Sequence, residues 1–343
     1  MYYQQLKEIN EGIERTGKVI ISLGCSFAQG QGAIPEELLK KYNWEFEKLG
    51  KPIKINDLTD SQKTELLAEY KSLQINPYTK ELDWTFLEYE HSFVYVLCKK
   101  YFNDEYTPIN LGIRGCGNRA TIKELFLHPE IHWSKVKEII VIYLPSGLER
   151  FDFIADTWND HHRWKCMWPH YNDIEKGPRR TLWEGYAGHV FSDKFEVIEQ
   201  IVHVQELLMW CNYHNAKLIV TPAFDKRYNR QHFLDCLEKV IERDMDGNIK
   251  KITTPINKGQ PELYANYLID LFPWDKTYLP DGCPTLADML IKQEHPEDWE
   301  NHHFFEYLGT GSKNLWITSC AHPSAKGHDL FAKFLYEHIT GAK

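Results

Sequence analysis

The sequence predicts an α/β protein with a mostly parallel sheet covered by helices on both faces. Three observations carry this prediction. Short apolar runs rich in β-branched residues alternate with amphipathic helical stretches along the chain. One run, KEIIVIYL (137–144), is apolar enough throughout for a strand buried on both faces. The 343 residues are 43% hydrophobic and 26% charged, enough for a sizeable core and against wholesale disorder.

The elements follow in order. The first strand is Val19 to Leu23, and it runs into the turn SLGCSFAQGQG (22–32). After a long intervening stretch, HSFVYVLCKKYF (91–102) predicts a helix and Pro108 to Leu111 a short second strand. NRATIKELFLH (118–128) predicts a helix, and residues 137–144 are the third strand. A long helix is expected over Asp193 to His214, capped by Ser192, with Phe195, Ile198, Val202 and Leu208 on one face. AKLIVTPAF (216–224) is the fourth strand, and NRQHFLDCLEKVIERD (229–244) the helix after it. SAKGHDLFAKFLYEHI (324–339) closes the order as another amphipathic helix. Strand and helix in alternation connect most readily into a parallel sheet.

Three stretches, about 33–90, 151–190 and 246–315, interrupt this rhythm and are expected to be insertions on one domain spanning 1–343. No linker-like composition separates two cores. The first holds a helix, since Thr59 and Gln62 fit a capping box ahead of Leu66, Leu67, Tyr70 and Leu73. The other two are rich in Trp, His, Gly and Pro, and the chain carries 11 Trp and 19 Tyr in all. Flat amphipathic rings of this kind serve either as packing or as ligand surface.

Composition also excludes. A net charge of −9 disfavours a phosphate-backbone binder, so no nucleic acid partner is expected. The N-terminus lacks the apolar segment of a secretory signal, and no window is long enough to span a bilayer. A cytoplasmic protein without a membrane partner is the expectation. Eight scattered cysteines with no C-x-x-C pair suit reduced thiols. The doublets His161-His162 and His302-His303 show no acidic or cysteine partner at ligand spacing, and Pro129 interrupts His128 and His132. Neither metal nor cofactor is expected. GCSFAQG lacks G-x-G-x-x-G spacing and no acidic residue marks the end of the second strand, which argues against a Rossmann-type nucleotide binder.

Ligands of a doubly wound sheet bind at the carboxyl ends of its strands. After the first strand stand Gly24-Cys25-Ser26; after the second, NLGIRGCGNR (110–119); after the third, Pro145-Ser146-Gly147. CAHPSAKGH (320–328) places His322 just before the last helix. Ser26 and His322, from opposite ends of the chain, can meet over such a sheet as nucleophile and base must. Plainer readings compete: Ser26 as a turn residue, His322 as the polar residue before a helix begun by Pro323 and Ser324. Cys25 would point away from Ser26, and Glu149, Arg150 and Asp152 are expected to form a solvated charge cluster.

GCSFAQG (24–30), NLGIRGCGN (110–118) and HPSAKGH (322–328) resemble, in order, the first, second and last blocks of the SGNH (GDSL-type) hydrolases. The resemblance implies a flavodoxin-like three-layer α/β/α sandwich that hydrolyses esters. By position, Ser26 would be the nucleophile, His322 the general base, and the N–H groups of Ser26 and Gly115 two oxyanion donors. Asn110, Gly112 and Gly30 match the scaffold of those blocks. The chain also departs from the pattern. Cys25 replaces the first block's aspartate, Gly147 the third block's asparagine donor, and Ser319 the acid three residues before the histidine. Losing one oxyanion donor costs about 10²- to 10³-fold in rate, and a triad aspartate roughly 10⁴-fold. Asn118 or Arg114 could supply the missing donor, and Ser319 or a backbone carbonyl could hold the imidazole, leaving a Ser–His dyad or an atypical triad. The expected function is an esterase or deacylase of small acyl esters, an acylated sugar among them. The alternative is a catalytically inactive protein of this fold, binding a ligand or protein partner through its aromatic-rich insertions. The sequence leaves the oligomeric state open.

Overall fold

The computed structural model describes residues 3–35, 37, 59–69, 74–75, 82–83, 85–154, 164–167, 192–238, 240–243, 249–253, 261–318 and 321–342. Strands β1 (Lys18–Gly24), β2 (Thr107–Asn110), β3 (Glu138–Leu144) and β4 (Lys217–Val220) form one sheet in the order β2-β1-β3-β4, every pair parallel. That order is the flavodoxin-like one, with a crossover on each side of β1. The helices are α1 (Tyr3–Thr16), α2 (Ser26–Gln29), α3 (Phe93–Val96), α4 (Asn118–Lys123), α5 (Asp193–Tyr213), α6 (Arg230–Glu238), α7 (Pro261–Leu271), α8 (Leu286–Glu294) and α9 (Ala325–Thr340). Two further helices, Asp60–Glu69 and Thr85–Glu90, precede α3, which runs on as a π-turn over Leu97–Tyr101.

The period of two along a strand divides the interior. Val19, Ile21 and Leu23 of β1 join Val141 and Tyr143 of β3 in a core covered by Ile13 of α1, Ile201 and Val204 of α5, and Phe233 of α6. Ile20, Ile140 and Ile142 face the other way, against Phe93 of α3, Leu286 and Leu290 of α8, and Phe331 of α9. The result is the three-layer sandwich expected. Among the described residues no disulfide joins the cysteines, and no helix is long and apolar enough to cross a membrane.

Two details correct the sequence reading, and a third adds to it. The helix expected over 229–244 stops at Glu238, and Val240–Arg243 pairs antiparallel with Ile249–Thr253 instead. Val240 and Ile241 are β-branched and favour the pleated state once the chain leaves α6. The buried stripe of α5 is Val197, Ile201, Val204, Leu207 and Cys211, while Val202 of the expected face is 47% exposed. The spacing of that stripe follows the helical period, whereas the expected set drifts away from it. Within the stretch 246–315, expected to be an insertion, α7 sends Ala265 and Ile269 into one core and α8 sends Leu286 and Leu290 into the other. The helix expected after Thr59 is present at Asp60–Glu69, while Tyr70 and Leu73 lie outside the described residues.

α9 buries a titratable group. His328 is completely inaccessible, accepts a hydrogen bond at Nδ1 from the Phe93 N–H (3.2 Å), and meets no partner at Nε2 among the described residues. Burial pushes its pKa down to about 3. The folded protein therefore holds it neutral, while the unfolded chain takes up a proton below about pH 6.5. The resulting stability is intact above that pH and falls by about 2 kcal/mol between pH 7 and pH 5. Urea unfolding at both pH values checks this: His328→Asn is expected to lose that part of the decrease, and an equal decrease in both proteins refutes it.

Candidate active site

The site is assembled from strand ends. Cys25, fully buried, follows β1, and Ser26 opens the four-residue helix α2. Gly30 ends α2 at φ 97°, and a Cβ there would lie 2.7 Å from the Glu88 carbonyl oxygen and 2.8 Å from the Ser92 Cβ. Only glycine accepts both that conformation and that approach. Asn110, last in β2, donates from Nδ2 to the carbonyls of Ala28 and Gln29, both at 3.1 Å. It thereby satisfies acceptors that so short a helix leaves open. Its Oδ1 accepts from the Gly112 N–H at 3.0 Å, and the next loop follows β1, with Ile113 N–H donating to the Gly24 carbonyl at 2.9 Å. Buried Glu88 reinforces the turn, accepting from the Gly32 N–H (3.0 Å) and pairing with Arg114, whose Nε donates to Gln29 Oε1 at 3.0 Å.

His322 arrives from the other end of the chain. Thr318 clamps its carbonyl, donating from both N–H (2.8 Å) and Oγ1 (3.1 Å), and the Phe27 ring lies 5.2 Å from the imidazole. The His322 Nε2 stands 2.7 Å from the Ser26 Oγ. Ser26 is 6% exposed and His322 half-buried. With its proton on Nδ1, the imidazole offers the Nε2 lone pair to the seryl hydroxyl, which donates. The N–H groups of Ser26 and of Gly115 (φ 66°) meet no acceptor among the described residues.

The residues named as substitutes are placed otherwise. Asn118 is buried and turned to scaffold partners: Nδ2 donates to Tyr228 OH at 2.6 Å, and Oδ1 accepts from Ser146 N–H (2.7 Å) and Oγ (3.2 Å). It ties together the segments that follow β2, β3 and β4. Arg114 points to Glu88 and Gln29, and Gly147 lies in a buried turn. Ser319 lies outside the described residues.

The charges after β3 are not a solvated cluster. Asp152 is 2% exposed and accepts from the N–H groups of Gly117 (2.7 Å) and Ala120 (2.9 Å), holding the start of α4. Glu149 pairs with Arg227, which also meets buried Asp225 at 2.7 Å. Burial opposes ionisation of Asp225, but Arg227 and the N–H groups of Leu148 and Arg227 outweigh it and hold its pKa low. A set of residues missed by the sequence reading completes the surroundings. Phe27, Phe224 and Phe304 form a ring cluster with centroids 5.1 to 5.8 Å apart, and the Arg150 guanidinium lies 5.2 Å above Phe224. Phe224 stands four residues past the end of β4, as the last residue of the run AKLIVTPAF, so the rule that ligands sit at strand ends could have found it.

No protein-family model matches this chain. No curated protein matches it either. Among solved structures, LAE5, an alpha/beta hydrolase enzyme from the metagenome of Lake Arreo, Spain, is similar at 10% identity over 95% of this chain and 96% of that one, with a TM-score of 0.34. A likeness this low assigns neither fold nor activity.

Proposed function

We propose that the chain is an SGNH-like serine hydrolase acting on small acyl esters. The observation that carries this reading is the 2.7 Å approach of His322 Nε2 to Ser26 Oγ at the carboxyl end of β1. Ser26 attacks the ester carbonyl while His322 takes its proton. His322 then returns that proton to the departing alcohol, leaving an acyl-serine. Water, activated by the same imidazole, releases the acid and restores the hydroxyl. The N–H groups of Ser26 and Gly115 are the proposed donors to the oxyanion, where fixed dipoles need no reorganisation as charge develops. The phenylalanine cluster beside His322 suits an apolar acyl chain or the face of a sugar ring.

One observation favours the inactive binding protein: glycine stands at 147, where the family has its asparagine donor, and the amide of Asn118 is turned to Tyr228 and Ser146. A fluorophosphonate probe separates the readings, because it reacts with an activated serine whatever the natural acyl group. A single mass adduct on Ser26, absent from His322→Ala, supports the hydrolase. Absence of any adduct after prolonged exposure overturns it in favour of the binding protein.

A further inference from the structure

The doublet at His302-His303, read from the sequence as lacking acidic partners at ligand spacing, has them four residues away on either side, at Asp298 and Glu306. His295 ends α8, Asp298 precedes the single 3-10 turn Trp299–Asn301, and His302 follows that turn. Each offers one ligand atom, and these atoms lie within 4.8 Å of one another. The two imidazoles are stacked, with centroids 3.8 Å apart and planes 15° from parallel.

The orientation of His302 is the informative feature. Its Nδ1 lies 3.0 Å from Glu306 Oε2, and the other oxygen of Glu306 is anchored by the His303 N–H at 2.9 Å. A carboxylate on one ring nitrogen keeps the proton there and directs the opposite lone pair outward, as partners of metal-binding histidines do. Here the opposite nitrogen, Nε2, faces Asp298 Oδ2 at 3.5 Å. A lone pair aimed at a carboxylate oxygen calls for a cation, either a second proton on the ring or a metal ion shared by both groups. The neighbouring His295 ring supplies a third donor, which a lone proton does not need.

We propose that His295, Asp298 and His302 bind a divalent transition-metal cation of the zinc type, with Glu306 as the positioning residue. Two imidazole nitrogens and one carboxylate oxygen suit Zn²⁺ and poorly suit Mg²⁺ or Ca²⁺, which prefer oxygen throughout. The Asp298 side chain is 57% exposed and has the freedom to close the remaining spacing around an ion. The ion would tie the end of α8 to the segment carrying Phe304, whose ring packs 5.8 Å from Phe27 beside His322. Three protein ligands leave coordination positions for water.

The test is equilibrium dialysis of the full chain, first stripped with chelator, against Zn²⁺, with metal content and melting temperature read together. The expected result is one Zn²⁺ per chain and a melting temperature raised by the metal. His295→Ala/His302→Ala is expected to weaken binding by at least about 100-fold, and Glu306→Gln by about 10- to 100-fold. His132→Ala, at an exposed histidine elsewhere, is expected to bind as wild type does. Should the double variant fail to fold, Asp298→Ala at its exposed position takes its place. Wild type that takes up no zinc, or takes up as much as the double variant or Asp298→Ala, overturns the proposal.

Discussion

Ser26→Ala is expected to lower ester turnover by about 10³-fold, His322→Ala by a similar factor, and the double variant by no more than either. A complete triad loses about 10⁶-fold when its nucleophile or base is removed. On the proposed reading this chain starts lower, because Gly147 and Ser319 stand where the resemblance to SGNH hydrolases would put an asparagine donor and a triad acid. The absence of additivity is the sharper part of the expectation. Nucleophile and base act on one proton, so removing the second after the first changes nothing. Ser26→Ala removes a single hydroxyl, so for that variant an unfolding midpoint close to wild type is expected alongside the lost activity. The measurement is hydrolysis of short-chain nitrophenyl esters by all four proteins. Equal rates in all four would mean that the 2.7 Å contact is not used for this chemistry and would favour the binding protein.

Gly112→Ala should damage the same site without touching either partner. A Cβ at this position would press on the Gln29 backbone nitrogen and sit 2.9 Å from the Ala28 carbonyl carbon. Those atoms belong to α2, whose first residue is Ser26, and backbone cannot swing aside as a side chain can. The overpacking is expected to cost about 1–3 kcal/mol in stability. Displacing α2 by about 1 Å should cost roughly 100-fold in turnover. Denaturant melts and ester kinetics on the one variant check both. A variant with wild-type turnover and stability would show that the loop after β2 yields without moving the nucleophile.

Much of this architecture is legible in the sequence, and the reasons are local. β1 and β3 announce themselves as β-branched runs, and Ser26 and His322 stand out because each sits where an element begins or ends. What stayed hidden depends on partners far away in the chain. Asn118 reads as a free amide in a glycine loop until Tyr228, 110 positions later, is seen to accept from it. Asp152 reads as a surface charge until the N–H groups of Gly117 and Ala120 converge on it. His302 escapes for another reason: Asp298 and Glu306 stand four residues before and after it, a spacing legible in the sequence that the reading of the doublet passes over. The face assigned to α5 fails differently: Ile198 and Leu208 do pack against the core, but Val202 is exposed, and the set drifts from the helical period that Val197, Ile201, Val204, Leu207 and Cys211 follow.

The pairing of Ser26 with His322 spans 296 positions, and that has a consequence for the order of events during synthesis. At about 5–20 residues per second, roughly 15–60 s separate the translation of the two residues. For that interval the seryl hydroxyl is already made but has no imidazole to take its proton. The sheet can form around β1, β2 and β3 while the site stays disarmed. Docking of the segment before α9 can only follow its synthesis, so on the proposed reading nucleophilic reactivity at Ser26 would report that this docking has taken place. A protease cut between α8 and His322 would leave the serine and its base on two fragments, joined only by the packing of α9 on the core.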